Sequence, residues 1–376
     1  MESNKKYSEV RFMIRVLQVV NNMHRAGLET MLMNYYRHID KNKVQFDFLT
    51  HRPEKDDYDD EILSMGGKVY YAPRLYPQNY VAYFSYMKHF FYEHPEYKII
   101  HSHIDSMSYL PLKAAMKSGV PIRIAHSHNT SIDRDFKYFL KMYYRKKITG
   151  VATDYLACGE EAGRFLFKNN PFMVVPNAID KKDFVYNETV RLKKRKELGV
   201  NDEIVYGHIG RISYQKNHKM LVEVFAEIVK INPKSILLII GVGEKENEIR
   251  KLVHDKGLGS KVKFLGKRTD VSSLYQAMDA FVMPSYFEGV PVVGVEAQFS
   301  KLPCFFSDRV PVEVSFCKDT YFISLEDSAY DWAKFITDKL NVLKRAENEI
   351  MDNKYDIDDS YVVLQDYYLE KSKKLI

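Results

Sequence analysis

Short runs dense in Val, Ile, Leu and Phe alternate along the chain with longer stretches in which apolar residues recur three and four positions apart. Runs of the first kind predict buried strands, stretches of the second amphipathic helices, and their alternation predicts strand, crossover helix and parallel strand. In the first half the predicted strands are RVLQVV (15–20), VQFDFL (44–49), KVYY (68–71), KIIHSH (98–103), IRIAHSH (122–128), YLAC (155–158) and MVVPN (173–177). Helical spacing fills the gaps, as in ETMLMNYYRHI, where Met31, Tyr35 and His38 share one face. The second half restarts with IVYGHIGR (204–211), SILLIIG (235–241), VKFLG (262–266), AFVMPS (280–285) and LPCFFS (302–307). The expected architecture is α/β, two doubly wound Rossmann-like units in series.

The charged segment DKKDFVYNETVRLKKRKELGV, 180–200, carries little strand pattern and separates the two series. Residues 1–185 and 186–354 are therefore the expected units, and the last helix, within 355–376, is expected to pack back on the first. A cleft between two such sheets is the natural ligand site. α/β sheets bind ligands just beyond the C-terminal ends of their strands, so residues there outrank all others as candidates.

Composition narrows the picture by exclusion. With 376 residues, 45% of them hydrophobic, the chain can fill two cores, which sets aside disorder and fibrous repeats. No apolar run approaches the roughly 18–20 residues of a membrane span, and MESNKKYSEVRF at the start has no apolar export region. Cys158, Cys304 and Cys317 match no zinc spacing and fit reduced thiols, so a cytoplasmic location is expected, with a peripheral place at the inner face of the plasma membrane as its refinement. A formal charge of +6 on this length does not call for a nucleic-acid partner.

Four segments at predicted strand ends carry residue types suited to an anionic ligand. In NNMHRAGLET, Gly27 lies where a helix begins, and free N–H groups at a helix start favour phosphate; a tight βα turn is the alternative. In HIGRISYQKN, Gly210 ends a strand, and Arg211 and Lys216 follow it before a helix from Asn217; two such cations can neutralise a diphosphate, or be solvated loop charges. In PSYFEGVPVVGVEAQFSKLP, Glu288 lies in a loop and Glu296 in a helix. The backbone of Gly289, Val290 and Val292 offers amides to an anion between two carboxylates that accept from hydroxyls, and two surface carboxylates are the plainer alternative. The fourth segment pairs His101 and His103 after one strand with His126 and His128 after the next. Catalytic or substrate-binding, structural and metal-binding histidines are all compatible with that pattern, although no Asp, Glu or Cys stands at a matching position to complete a metal site. DDYDDE at 56–61 reads as a solvated loop.

Taken together, AGLETMLMNYYRHID, AHSHNT, VVPNAID, GHIGRISYQKNH, GVGE, VKFLGKRTDV and PSYFEGVPVVGVEAQ resemble the retaining, GT-B-fold nucleotide-sugar glycosyltransferases of glycosyltransferase family four, above all the bacterial exopolysaccharide and capsule enzymes. The resemblance implies that Arg211 and Lys216 hold the donor diphosphate, Glu288 contacts the transferred sugar, Glu296 binds the ribose, and Gly27 lies beside the phosphates. The stretch from Gly289 to Val292 adds amides. It implies His126 as the active-site histidine with His128 as the second choice, His103 in the cleft, Asn177 near the interdomain seam, and no metal or other cofactor. Two positions depart from the family pattern: Ala26, where a second glycine is usual, and Lys301, where a glycine is usual.

The expected reaction moves a sugar from a nucleotide diphosphate sugar, a UDP-sugar by expectation, to a hydroxyl of a glycan or lipid-linked acceptor with retention. No residue is placed as a nucleophile, so same-face attack assisted by the departing phosphate is expected. The alternatives are a nucleotide-sugar epimerase of the same architecture and a catalytically silent nucleotide- or glycan-binding subunit. In SIDRDFKYFLKMYYRKK, 131–147, Arg134, Lys137, Lys141 and Arg145 form one helical stripe and Phe136, Phe139, Leu140 and Tyr143 another. Such a helix suits an anionic membrane surface, or equally a solvated face over a core.

Overall fold

The computed structural model describes residues 13–132, 137–373 and 375. The first sheet comprises β1 (Ile14–Val19), β2 (Val44–Thr50), β3 (Val69–Tyr71), β4 (Ile99–Ser102), β5 (Ile122–Ser127), β6 (Asp154–Ala157) and β7 (Met173–Val174). The second comprises β8 (Ile204–Ile209), β9 (Ser235–Ile240), β10 (Val262–Gly266), β11 (Ala280–Met283), β12 (Cys304–Ser307) and β13 (Thr320–Ile323). The strand orders are β3-β2-β1-β4-β5-β6-β7 and β10-β9-β8-β11-β12-β13, with neighbours parallel throughout. Helices cover both faces, which is why strands such as β2 are buried at every residue.

All twelve strands expected from the pattern are present, most ending earlier than expected because the expected runs reached into the glycine, proline and polar residues of the loops beyond. The thirteenth, β13, was hidden by its brevity and by the charged Lys318 and Asp319 before it. Within 180–200 the charged segment holds a helix, Glu188–Leu198, capped by the Asn187 side chain. Arg191 and Arg195 of that helix bind Asp279 of the second unit. Charges that read as linker are thus partly a packing face.

Run 56–61 also differs from its expectation. Asp59 is buried at the start of a short helix and accepts a 2.6 Å bond from the Tyr71 hydroxyl, while Asp57 pairs with Lys267 of the second unit. Of the predicted basic helix, Tyr138–Lys147 is observed; Arg134 and Phe136 lie outside the described residues. The last helix, Ile357–Lys373, lies on the first sheet. There Tyr368 meets Gln18 of β1 and His101 of β4, and Gln365 accepts from the Asp40 amide.

Both sheets reverse strand order once, between β1 and β4 and between β8 and β11. Loops leaving these strands diverge and open a crevice at the carboxyl edge. Gly27, His103, Arg211, Lys216 and Glu288 all follow strands at these reversals, and His128 follows the next strand along.

Candidate active site

On the second unit, β8 runs into the loop 210–217 and β11 into the loop 284–291. The two loops are tied together: the Tyr286 amide donates to the Gln215 carbonyl at 2.8 Å, and the Gln215 side chain donates to the Phe287 carbonyl at 3.0 Å. Across this junction Lys216 Nζ donates to Glu288 Oε1 at 2.6 Å, with both side chains largely withdrawn from solvent. Gln215 Nε2 reaches Glu288 Oε2 at 3.3 Å. Lys216 is guided by Gly210: a Cβ there would stand 3.2 Å from Lys216 Cε, so the missing side chain leaves the lysine stem its path.

Arg211 behaves differently. Its guanidinium is 74% exposed and pairs with Glu244 at 3.1 Å. The pKa of His24 in the first unit is lowered chiefly by burial, and the charges of Lys267 and Arg211 add to that lowering.

Glu296 sits in the helix Val292–Phe299, where Tyr275 donates its hydroxyl to Oε2 at 2.8 Å. Burial pushes its carboxyl up to about 7, against the lowering effect of that bond. The helix starts at the crevice, and so does the first-unit helix Gly27–His38; a Cβ on Gly27 would lie 3.9 Å from Val292 Cγ2 and meet nothing closer. Two helix N-termini, each with unsatisfied N–H groups, thus converge on one space. Ala26 is the N-cap in extended conformation, so that position does not demand glycine. Lys301, by contrast, adopts φ of 57°, the left-handed geometry that favours the glycine usual there.

The two units meet at the acidic loop. Thr130 donates to the Glu288 carbonyl at 2.6 Å, Asn177 donates to the Val290 carbonyl, and a Cβ on Gly289 would fall 2.1 Å from the His128 carbonyl. Asp105, held in the left-handed region with φ of 46°, accepts from the His128 amide at 2.7 Å and the Asn129 side chain at 2.8 Å. It fixes the turn that meets Gly289.

His101, His103 and His126 are fully enclosed, while His128, just past β5, is half-buried. His101, His103 and His126 could offer three nitrogens within 4.8 Å of one another to a metal ion. Their lone pairs lie in the ring planes, however, and His101 and His126 are within 7° of parallel, with Nε2 and Nδ1 bonded at 3.0 Å. In this arrangement the nitrogens point at one another rather than at a common centre.

The structure brings together Lys216, Glu288, Gly289, Val290, Val292, Gly27, Asn177 and His128 around one crevice. It sets Arg211 at the edge, and His103 and His126 behind. Sequence reasoning missed Gln18, Asp105, Thr130, Gln215, Tyr275 and Tyr368; each acts through a contact distant along the chain, which local pattern does not carry.

Two parallel doubly wound sheets facing across a crevice, with phosphate-suited loops at the strand-order reversals, define a GT-B glycosyltransferase. Residues 25–183 match the model described as Glycosyltransferase Family 4, and residues 190–349 that described as Glycosyl transferases group 1. The chain belongs to glycosyltransferase family 4, and it is a glycosyltransferase of the polysaccharide and capsule biosynthesis kind. It is 38% identical over 309 residues to the putative glycosyltransferase EpsF of Bacillus subtilis, covering 80% of each chain. It is also 25% identical to the capsular polysaccharide biosynthesis glycosyltransferase CapH of Staphylococcus aureus, over 96% of this chain and 100% of that one. Among solved structures, Anabaena Alr3699/HepE in complex with UDP and glucose has the same fold, with a TM-score of 0.75 at 15% identity, covering 96% of this chain and 100% of that one. Among the described residues, no helix is long and apolar enough to cross a membrane.

Proposed function

We propose that this enzyme transfers a hexose from a UDP-sugar, with retention at the anomeric carbon, to a hydroxyl of a glycan or lipid-linked oligosaccharide. The observation that carries the reading is the Lys216–Glu288 pair at the crevice, next to Gly289, which packs on the His128 carbonyl, and near two converging helix N-termini. In this reading the diphosphate sits between the starts of Gly27–His38 and Val292–Phe299 and draws Lys216 toward its oxygens. Arg211 exchanges its exposed Glu244 partner, a pair of small worth in water, for phosphate. Glu288, released from the lysine, accepts hydroxyls of the transferred sugar, and Glu296 accepts those of the ribose. The complex of Alr3699/HepE with UDP supports a uridine donor within this fold.

In this reading His128, the second choice from sequence, touches the sugar, and His126 stands behind it. A substrate-contacting ring needs an open side; His126 is enclosed within β5 and His128 is not. Catalysis then rests on positioning and on leaving-group stabilisation by Lys216, Arg211 and the helix N-termini, which perform the charge-neutralising work of a metal ion. The departing phosphate oxygen takes the acceptor proton as the new glycosidic bond forms on the same face.

The test is a panel of UDP-sugars with lipid-linked acceptors, reading UDP release and the anomeric configuration of the product by NMR. An α-linked product from an α-donor supports the reading. UDP release or sugar isomerisation that needs no acceptor would point to the epimerase instead, and donor binding without turnover on any acceptor to a silent subunit.

A further inference from the structure

Running back from His128 at the crevice, four imidazoles on and just past β4 and β5 pack with ring centroids 4.0–5.2 Å apart. Burial holds them neutral: His128 falls to about 3, and the other three lie well below their ordinary value. A neutral imidazole has one N–H and one bare nitrogen, so every bond in the group constrains the next.

The constraint begins at Gln18 of β1. Its Nε2 donates to the Tyr368 hydroxyl at 3.3 Å, and its Oε1 lies 2.8 Å from His103 Nε2. A carbonyl oxygen accepts, so His103 carries its proton on Nε2 and its Nδ1 is bare. His128 Nε2, 3.0 Å away, must then donate to that Nδ1, which leaves His128 Nδ1 bare and without a partner among the described residues. On the other branch the Tyr368 hydroxyl, already accepting from Gln18, donates to His101 Nδ1 at 2.6 Å. His101 Nε2–H donates in turn to His126 Nδ1, and the chain ends at a buried His126 Nε2–H with no partner. Turning the Gln18 amide over would reverse every bond in both branches.

We propose that Gln18 and Tyr368 are positioning residues for sugar transfer: by fixing the amide, they fix His128 as the Nε2–H tautomer, so that its bare Nδ1 accepts a hydroxyl of the bound sugar. This rests on the reading of His128 as the substrate-facing histidine. It makes the last helix part of the catalytic apparatus although it touches no substrate.

The experiment is long-range ¹H–¹⁵N correlation NMR on full-length protein carrying ¹⁵N-histidine, with His128 assigned by its loss in His128→Gln. The expected result is Nε2–H for His128 from pH 6 to 8, and a shift toward mixed or Nδ1–H signal in Gln18→Leu and in Tyr368→Phe. In both variants kcat falls by about tenfold, the scale of one misdirected hydrogen bond, while KM for the donor changes less. Tyr368→Phe removes a single oxygen and serves if Gln18→Leu does not fold. An Nδ1–H tautomer in the native protein, or an unchanged tautomer in both variants, overturns the proposal. So does a stoichiometric metal in the purified protein, because coordination would consume the lone pairs. His128→Gln with full turnover but the expected tautomer pattern would instead remove the substrate-facing role while leaving the wiring intact.

Discussion

Lys216 Nζ and Glu288 Oε1 stand 2.6 Å apart, joining the loops that follow β8 and β11. Each side chain compensates the other's withdrawal from water, and each has a separate role once a donor arrives. Lys216→Ala should lower kcat by about 10²–10³, the scale of losing one group that stabilises developing charge. It also strands Glu288, at a stability cost on the order of 3 kcal/mol. The double variant Lys216→Ala, Glu288→Gln should recover much of that stability and none of the activity. Thermal melts beside UDP-release assays check both halves; turnover surviving in the single variants would reject the assignment.

The seam supplies a second expectation. Gly289→Ala places a methyl 2.1 Å from the His128 carbonyl, and backbone on either side must move. The acidic loop should shift away from the first unit, lowering turnover by more than tenfold with a stability loss of about 1–3 kcal/mol. Thr130→Val, which deletes only the bond to the Glu288 carbonyl, should give a milder form of the same defect. Parallel activity and melting measurements on the two variants test the gradation.

Donor binding should depend on pH through Glu296. Its carboxyl titrates near 7 because it is buried, and Tyr275 pulls it down. Ribose hydroxyls donate more strongly to a carboxylate than to a neutral acid, so UDP affinity should rise as pH increases through 7. Tyr275→Phe should move that midpoint upward and Glu296→Gln should abolish it, as isothermal titration across pH 5.5–8.5 would read out. Stability runs the other way: a carboxyl raised on folding contributes most below its unfolded value and loses that contribution as pH climbs.

Glu29 magnifies that stability trend. It is buried in the first turn of Gly27–His38, where burial pushes it up to about 8. In its neutral form it presents no negative charge to phosphates at that helix start. The native protein should therefore lose stability between pH 5 and 8, while Glu29→Gln should flatten the slope and gain on the order of 2–4 kcal/mol at pH 8. Denaturant melts at several pH values decide it.

Removing metal ions and adding membranes are two further checks. Turnover should survive EDTA, since Lys216, Arg211 and two helix N-termini face the diphosphate in the proposed complex. In the helix Tyr138–Lys147, Phe139 is 85% and Tyr143 53% exposed, and Lys146 and Lys147 follow at its end. The protein should pellet with anionic vesicles at low salt and release at high salt; equal behaviour with neutral vesicles would remove the membrane contact.

How much of this was legible beforehand follows from where the information lay. Parallel strands buried on both faces announce themselves as apolar runs, so twelve strands could be read and β13, short and partly exposed, could not. Lys216, Glu288 and Gly27 could be singled out in sequence because they follow predicted strands, and Glu296 because it lies in the helix after one of them. His126 and His128 stand two positions apart and so share one face, which is why strand alternation could not rank them. Thr130, Asp105 and Gln18 look ordinary in sequence; their roles exist only after distant strands are side by side.

Tyr368 meets Gln18 across 350 positions of sequence. On the ribosome, the strands that carry Gln18 and the histidines emerge well before the phenol that organises them. Until then the amino-terminal unit holds polar groups in its interior that lack a partner. A chain stalled before residue 357 should therefore lack the ordered imidazole group whatever the state of its second unit.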